Sequence, residues 1–139
     1  MTTQTKDPDD ANISTSGKRR TITLTNRGPV RINEDDWQIV AQGGQGDATA
    51  GGPLGWRISI RVRCEHRTPG RFIVHASYDN SSELFDVRVG HLVNADENLW
   101  EHILAVGQEL RERINDQRMH SYVTHAVDSC FADFSPREL

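Results

Sequence analysis

Residues 56–66, WRISIRVRCEH, decide the fold class, because apolar and polar residues alternate along them. Successive side chains of a β-strand point to opposite faces, so this pattern predicts a strand with one buried face. The apolar face carries Trp56, Ile58, Ile60, Val62 and Cys64. The opposite face carries Arg57, Ser59, Arg61, Arg63 and Glu65.

Two further strands follow this one. Residues 67–70, Arg-Thr-Pro-Gly, are typical of a type II turn, since proline fixes the first central position and glycine accepts the second. Residues 71–78, RFIVHASY, alternate again and predict the returning strand. After a turn at 79–82, residues 84–89 predict a third strand, which runs on towards Val93. Such short turns imply antiparallel neighbours.

The preceding part of the chain predicts a β-hairpin and a short helix. Residues 21–25 and 30–32 are two short strands around an Asn-Arg-Gly-Pro turn. Asn33 is a candidate N-cap, and three acidic residues follow it in what would be the first helical turn. Ile32 and Trp37 are spaced as a hydrophobic staple, so Trp37 is expected to be buried. The helix is expected to end at Gln42, where glycines begin.

Two helices are predicted at the C-terminal end. Asn94 and Glu97 have capping-box spacing, which predicts a helix from there to about Ile114. A second helix is predicted over about 116–134, before Ser135-Pro136. The apolar stripe of the first helix is Leu99, Ile103, Val106, Leu110 and Ile114.

The element order β-β-α-β-β-β-α-α predicts an α+β fold, with an antiparallel sheet and the C-terminal helices packed on one face. The chain has 139 residues, which fits one domain. We assign that domain to residues 18–139, with a Gly-rich loop at 42–55. Residues 1–17 are polar and nearly free of large apolar side chains, so they are expected to be a disordered tail.

Several functional classes lack support in the sequence. No apolar run is long enough for a transmembrane helix, and the polar N-terminus does not resemble a secretory signal. Cys64 and Cys130 are expected to be buried thiols in a reducing cytoplasm, although packing of strand on helix would allow a disulfide. The six histidines show no metal-ligand spacing, so no metal or other cofactor is expected.

No motif of an enzyme is present either. The sequence lacks a GxSxG nucleophile elbow, and the Gly-rich segment lacks the Lys-Ser/Thr of a phosphate-binding loop. The acidic pair Asp35-Asp36 is explained by its position in a first helical turn. We therefore expect a protein without catalytic activity.

The charge distribution is the most informative functional feature. Formal net charge is −4, yet basic residues concentrate in the predicted strands and acidic residues in the C-terminal helices. The basic strand face either is an ordinary solvated surface or binds phosphate or the acidic surface of a partner protein. It would instead be an internal salt-bridge layer if Glu101, Glu109 or Glu112 lay across it. The candidate binding residues are Arg57, Arg61, Arg63, Arg67 and Arg71.

Three segments carry a resemblance to a known group of proteins: residues 21–42 (TITLTNRGPVRINEDDWQIVAQ), 56–78 (WRISIRVRCEHRTPGRFIVHASY) and 127–139 (VDSCFADFSPREL). Over residues 20–139 the chain resembles small accessory proteins of conjugative plasmids and other mobile elements of proteobacteria. That group has no assigned activity, so the resemblance transfers no functional residue. It implies a small bacterial protein that acts by binding a macromolecule, for example an inhibitor of host defence.

Two kinds of partner remain open from the sequence. The first is a protein with an acidic surface, and the second is a nucleic acid bound by the basic strand face of a regulator. The aromatic residues Trp56, Phe72 and Tyr78 are predicted to point away from that face, which disfavours base stacking. No membrane partner is expected, and the oligomeric state does not follow from the sequence.

Overall fold

A computed structural model describes residues 19–47, 55–80 and 85–134. Its strands are β1 (Arg19–Leu24), β2 (Gly28–Asn33), β3 (Trp37–Asp47), β4 (Trp56–Glu65), β5 (Phe72–Asn80) and β6 (Phe85–Val93). Its helices are α1 (Leu99–Arg113) and α2 (His120–Asp133), with short 3-10 turns at Glu34–Asp36 and Gln117–Met119. The predicted tail at 1–17 lies outside the described residues.

The four strands β3-β4-β5-β6 form an antiparallel meander in sequence order. β1 and β2 form a separate antiparallel hairpin. Ile60 pairs with Ala76, and Ala76 pairs with Val89, so apolar side chains line up across the sheet. Together with the two C-terminal helices, this arrangement confirms the α+β class.

The main core lies between the sheet and the helices. Ile58, Ile60 and Val62 of β4 are fully buried there, as the alternation of that strand predicts. Ile103, Val106 and Leu110 of α1 and Val123, Ala126 and Val127 of α2 pack against them. Deletion of a buried aliphatic side chain from such a core costs about 2–5 kcal/mol.

The helix predicted after Asn33 is a single 3-10 turn. Asn33 does cap it, since the backbone N–H of Asp35 donates to Asn33 Oδ1 at 2.9 Å. The chain then extends as β3, which pairs with β4 over its whole length apart from a register shift between Ile39 and Ala41. Pairing with β4 satisfies those backbone groups of β3 that face it, along ten residue pairs, whereas a short isolated helix is only marginally stable.

The Gly-rich loop predicted at 42–55 is also corrected. Residues 42–47 belong to β3, and 48–54 lie outside the described residues. A Cβ atom on Gly43 would lie 2.3 Å from the Ala126 carbonyl oxygen and 2.5 Å from the Cys130 nitrogen of α2. The glycine therefore allows helix α2 to lie directly on the strand.

The start of α1 differs from the capping-box prediction. Asn98 caps the helix, because its Oδ1 accepts from the N–H of Trp100 at 2.9 Å. The predicted pair still makes its contact, with the Asn94 N–H donating to Glu97 Oε1 at 2.8 Å. That contact closes the turn before the helix. The predicted N-cap, Asn94, is therefore four residues before the observed one, Asn98.

Candidate functional site

The hairpin covers part of the sheet face opposite the helices. Ile22 and Leu24 of β1, Ile32 of β2 and Trp37 form a second buried cluster with Ile73 of β5. The backbone N–H of Thr25 donates to the Gly90 oxygen of β6 at 2.6 Å. The arginine-bearing face of the sheet is therefore partly exposed and partly covered by β1. The sequence pattern did not predict this arrangement.

A cleft of about 270 Å³ lies where β1 meets this face of the sheet. Side chains from β1, β4, β5 and β6 line it. We call it the arginine cleft, because its lining includes Arg20, Arg57, Arg61, Arg63 and Arg88. No Phe, Tyr or Trp is among its described lining residues.

Two of the arginines that line the cleft are paired with carboxylates. Arg20 pairs with Glu34 at 2.8 Å, and Arg88 pairs with Asp79 at 2.9 Å. The two pairs come from different parts of the fold, the first from the hairpin and its following turn, the second from β5 and β6. These pairs neutralise two of the five arginines that line the cleft.

The other three arginines of the cleft lack such a partner. Within the described part of the chain, no carboxylate lies at ion-pair distance from Arg57, Arg61 or Arg63. Arg61 Nε donates to Gln42 Oε1 at 3.3 Å, which orients its guanidinium without neutralising it. None of the three is therefore neutralised by a carboxylate of the described residues, and Arg57 is exposed, Arg61 half-buried and Arg63 buried.

Arg63 is the most unusual of the three, because only 3% of it is exposed. Its NH1 atom is buried and has no hydrogen-bond partner among the described residues. Burial lowers the pKa of this guanidinium, and the charges of Arg20 and Arg61 lower it further, while Glu34 acts in the opposite direction. A buried cationic donor without a partner is unfavourable, and an anion in the cleft would relieve that cost.

His75 lies among these cations on β5. Burial lowers its pKa to about 4, helped by the positive charges of Arg63, Arg88, Arg20 and Arg61. The imidazole is therefore neutral at pH 7 and can donate one N–H. Nearby, the hydroxyl oxygens of Ser59 and Ser77 lie 3.0 Å apart, so the cleft also offers uncharged donors.

The five predicted binding arginines do not form one site. Arg57, Arg61 and Arg63 line the arginine cleft, whereas Arg67 and Arg71 lie outside it. Arg67 Nε lies 3.4 Å from Asp36 Oδ1. Arg71 NH1 lies 3.1 Å from Glu65 Oε1, and its guanidinium lies 5.9 Å from the Trp37 ring centre.

Among the basic side chains that line the cleft, sequence reasoning missed Arg20, His75 and Arg88. Strand alternation could have found His75 and Arg88, because Arg88 pairs with Ser77 on the face that also carries His75. Nothing local indicated Arg20, since its place depends on how the hairpin docks on the sheet.

The acidic helices do not cover the arginines. They pack on the opposite face, and Glu109 contacts His91 and Thr25 instead. No ion pair within the described ranges joins Glu101, Glu109 or Glu112 to the arginine cleft. The basic face is therefore not an internal salt-bridge layer.

Other candidate chemistry is limited in the parts of the chain that the structure describes. Cys64 is half-buried and Cys130 buried, and both are free thiols. Burial raises the pKa of Cys130 to about 11, with a smaller contribution from Asp133, so this thiol is poorly nucleophilic.

The described residues contain no group of three His, Cys, Asp or Glu side chains that could hold a metal ion. None of the described helices combines the length and apolar character needed to cross a membrane.

Comparison with known proteins gives no family. No protein-family model matches the chain, and no curated protein and no solved structure matches it.

Proposed function

We propose that this protein has no catalytic activity and works by binding an acidic group of a partner protein in the arginine cleft. The observation that carries the proposal is Arg63, a buried cation whose NH1 lacks a hydrogen-bond partner among the described residues. Arg57 and Arg61 beside it also lack a carboxylate partner within the described chain. Arginine is suited to this role, since its planar guanidinium binds oxyanions through two parallel hydrogen bonds.

A protein partner is favoured over a nucleic acid by the surroundings of the cleft. Base stacking needs exposed aromatic rings, but Trp56 lies 4.6 Å from the Tyr122 ring and Tyr78 is buried in the main core. The net charge of −4 also opposes a long polyanion that would extend past the cleft. A regulator that binds nucleic acid through the basic strand face is the second candidate, supported by the five arginines of the cleft.

The resemblance to accessory proteins of mobile elements agrees with a function by binding. Under this proposal, the bound partner can be a host defence protein, which the binding inhibits. A cytoplasmic location is part of the same proposal.

The test compares binding of a fluorescent oligoglutamate peptide with binding of single-stranded and duplex DNA, by anisotropy over a series of salt concentrations. The double variant Arg57→Gln/Arg61→Gln should lose peptide binding. The matched control Arg27→Gln/Arg113→Gln removes the same charge from exposed positions outside the cleft and should keep it.

Two outcomes would overturn the proposal. Equal peptide affinity in both double variants would show that the cleft is not the site. Tighter binding of DNA than of the peptide at every salt concentration, with a steep salt dependence, would establish the nucleic-acid candidate instead.

A further inference from the structure

The arginine cleft carries more positive charge than one carboxylate can neutralise. Arg57, Arg61 and Arg63 have no acidic partner within the described residues, whereas the flanking Arg20 and Arg88 are each paired with a carboxylate. The lining of this cleft of about 270 Å³ therefore includes three guanidinium groups without an acidic partner, and two of them, Arg61 and Arg63, are next-but-one neighbours on β4. A ligand that fits must be compact, strongly anionic and rich in hydrogen-bond acceptors.

A phosphate monoester has these properties. It carries a charge of about −1.5 to −2 at pH 7 and three strong acceptor oxygens, whereas a carboxylate carries one charge and two oxygens. Arginine clusters are a recurring means of recognising phosphorylated side chains. Neutral donors complete such a site, and here His75 and the hydroxyls of Ser59 and Ser77 line the same cleft.

The position of Arg63 argues for a single protruding group. Only 3% of Arg63 is exposed, and the residue lines the cleft, so a group must enter the cleft to contact it. The phosphates of a duplex lie along a wide, regular backbone, and a single strand would leave its bases without the aromatic platforms that bind them. A phosphorylated side chain on a flexible segment of protein can enter alone.

We propose that the arginine cleft is a recognition site for a phosphorylated side chain of the partner protein. This inference rests on the proposed function and narrows it, because it specifies the acidic group. Arg61 and Arg63, which are two residues apart on β4, bind the phosphate oxygens, and Arg57, six residues from Arg63 on the same strand, adds positive charge further along the cleft.

The experiment uses the full chain and a fluorescent neutral peptide with one central phosphoserine. Companion peptides carry serine or aspartate at the same position, and a short 5′-phosphorylated oligothymidine carries the phosphate on a nucleic acid. We expect the phosphoserine peptide to bind at least about tenfold more tightly than the aspartate peptide at equal ionic strength. Arg61→Gln and Arg63→Gln should abolish this preference, and the exposed control Arg27→Gln should preserve it.

Arg63→Lys keeps the test decisive if Arg63→Gln fails to fold. Lysine retains the charge but lacks the planar fork, so affinity for the phosphoserine peptide should fall by roughly tenfold while thermal unfolding stays cooperative. Unchanged affinity in Arg63→Lys and in Arg61→Gln would overturn the inference.

The peptide series separates this inference from the proposed function. Equal affinity for the phosphoserine and aspartate peptides would overturn phosphate recognition and leave the binding of acidic proteins standing. Binding of none of the peptides would overturn both. Tighter binding of the oligothymidine than of the phosphoserine peptide would overturn the assignment to a protein.

NMR titration of His75 gives a second readout, with inorganic phosphate as the probe. A phosphate ion in the cleft offsets the positive charges that face this imidazole, so its pKa should rise when phosphate is saturating. A pKa that stays the same would place the phosphate elsewhere and overturn the inference. The charged groups that face or flank His75 are Arg61 and Arg63 on β4, Arg20 on β1, Arg88 on β6 and Asp79 on its own strand.

Discussion

The Nε2 atom of His91 lies 2.7 Å from the carboxylate of Glu109, and this contact joins strand β6 to helix α1. The other oxygen of Glu109 accepts a hydrogen bond from the Thr25 hydroxyl, which follows β1. The second ring nitrogen of His91 lies 2.8 Å from Nδ1 of His102. One glutamate thus links the hairpin, the sheet and the helix layer at the β6 edge.

Replacement of this glutamate should weaken all three connections. Burial alone would raise the pKa of Glu109, but hydrogen bonds from Thr25 and His91 outweigh it and lower the pKa below its ordinary 4.5. Glu109→Gln should reduce the free energy of unfolding by about 1–3 kcal/mol at pH 7, since it removes charge-assisted hydrogen bonds. Urea unfolding measures this change. Glu112→Gln is the control, because Glu112 is exposed and accepts only from Gln108 among the described residues.

The effect of Glu109→Gln should also depend on pH. A carboxyl group with a lowered pKa in the native state stabilises that state fully above its unfolded pKa, and the stabilisation is lost as pH falls through the native pKa. The difference between wild type and Glu109→Gln should therefore shrink in acid. A difference that stays constant from pH 7 to pH 3 would contradict the role of the ionised carboxylate.

His75 should make the native state sensitive to mild acid. Its native pKa of about 4 is below the ordinary 6.5, so the unfolded chain binds the proton first as pH falls. The contribution to stability is complete above pH 6.5 and falls by about 3 kcal/mol as pH drops to about 4, at 1.36 kcal/mol per pKa unit. His75→Gln should remove this part of the slope, which is measured as the difference between two urea-unfolding series. Identical slopes for the two proteins would refute it.

Gly43 should tolerate no side chain. The Cβ atom of alanine would lie 2.3 Å from the Ala126 oxygen and 2.5 Å from the Cys130 nitrogen, both backbone atoms of a packed helix. Gly43→Ala should therefore cost about 1–3 kcal/mol or more by separating α2 from β3. At Gly46 the nearest atom to such a Cβ is the Trp56 oxygen at 3.4 Å, so Gly46→Ala is the matched control. Thermal unfolding should show a large decrease in Tm for the first variant only.

Trp37 should be essential to the docking of the hairpin. It is 8% exposed and packs with Ile32 and Ile73, so Trp37→Ala should cost about 3–5 kcal/mol. Trp100 is 46% exposed, and Trp100→Ala should cost much less. Denaturant unfolding of the two variants compares them. A loss below about 1 kcal/mol for Trp37→Ala would mean that the second cluster contributes little to stability.

The segment from Asn33 to Gly46 shows where local signals mislead. A capping residue and three acids favour the start of a helix, and they do form one 3-10 turn. The residues after the turn extend, because β4 offers a paired edge along which β3 gains a ladder of backbone hydrogen bonds. Gly43 then allows close packing against α2, while Gly44 and Gly46 continue the paired strand instead of forming a loop. Both choices depend on partners distant in sequence.

The candidate site also has one part that the sequence predicted and one part that only the packing of distant segments decided. Alternation along β4 was enough to place Arg57, Arg61 and Arg63 on one face, away from the helices. It could not predict that Arg63 would be buried, because the covering strand β1 lies more than thirty residues earlier in the chain. The same docking places Arg20 beside these residues and gives the charged face a concave shape.

By itself, the sequence determined which face of each central strand is apolar, where the two C-terminal helices lie and that the positive charge belongs to the sheet. These properties follow from side-chain periodicity, which is local. Only the tertiary structure decided that residues 37–47 form a strand, that the hairpin covers the arginine face and that Arg63 and His75 become buried among other cations. Pairing and docking depend on contacts between distant segments, and burial and electrostatic fields depend on every neighbour at once, so no local pattern contains them.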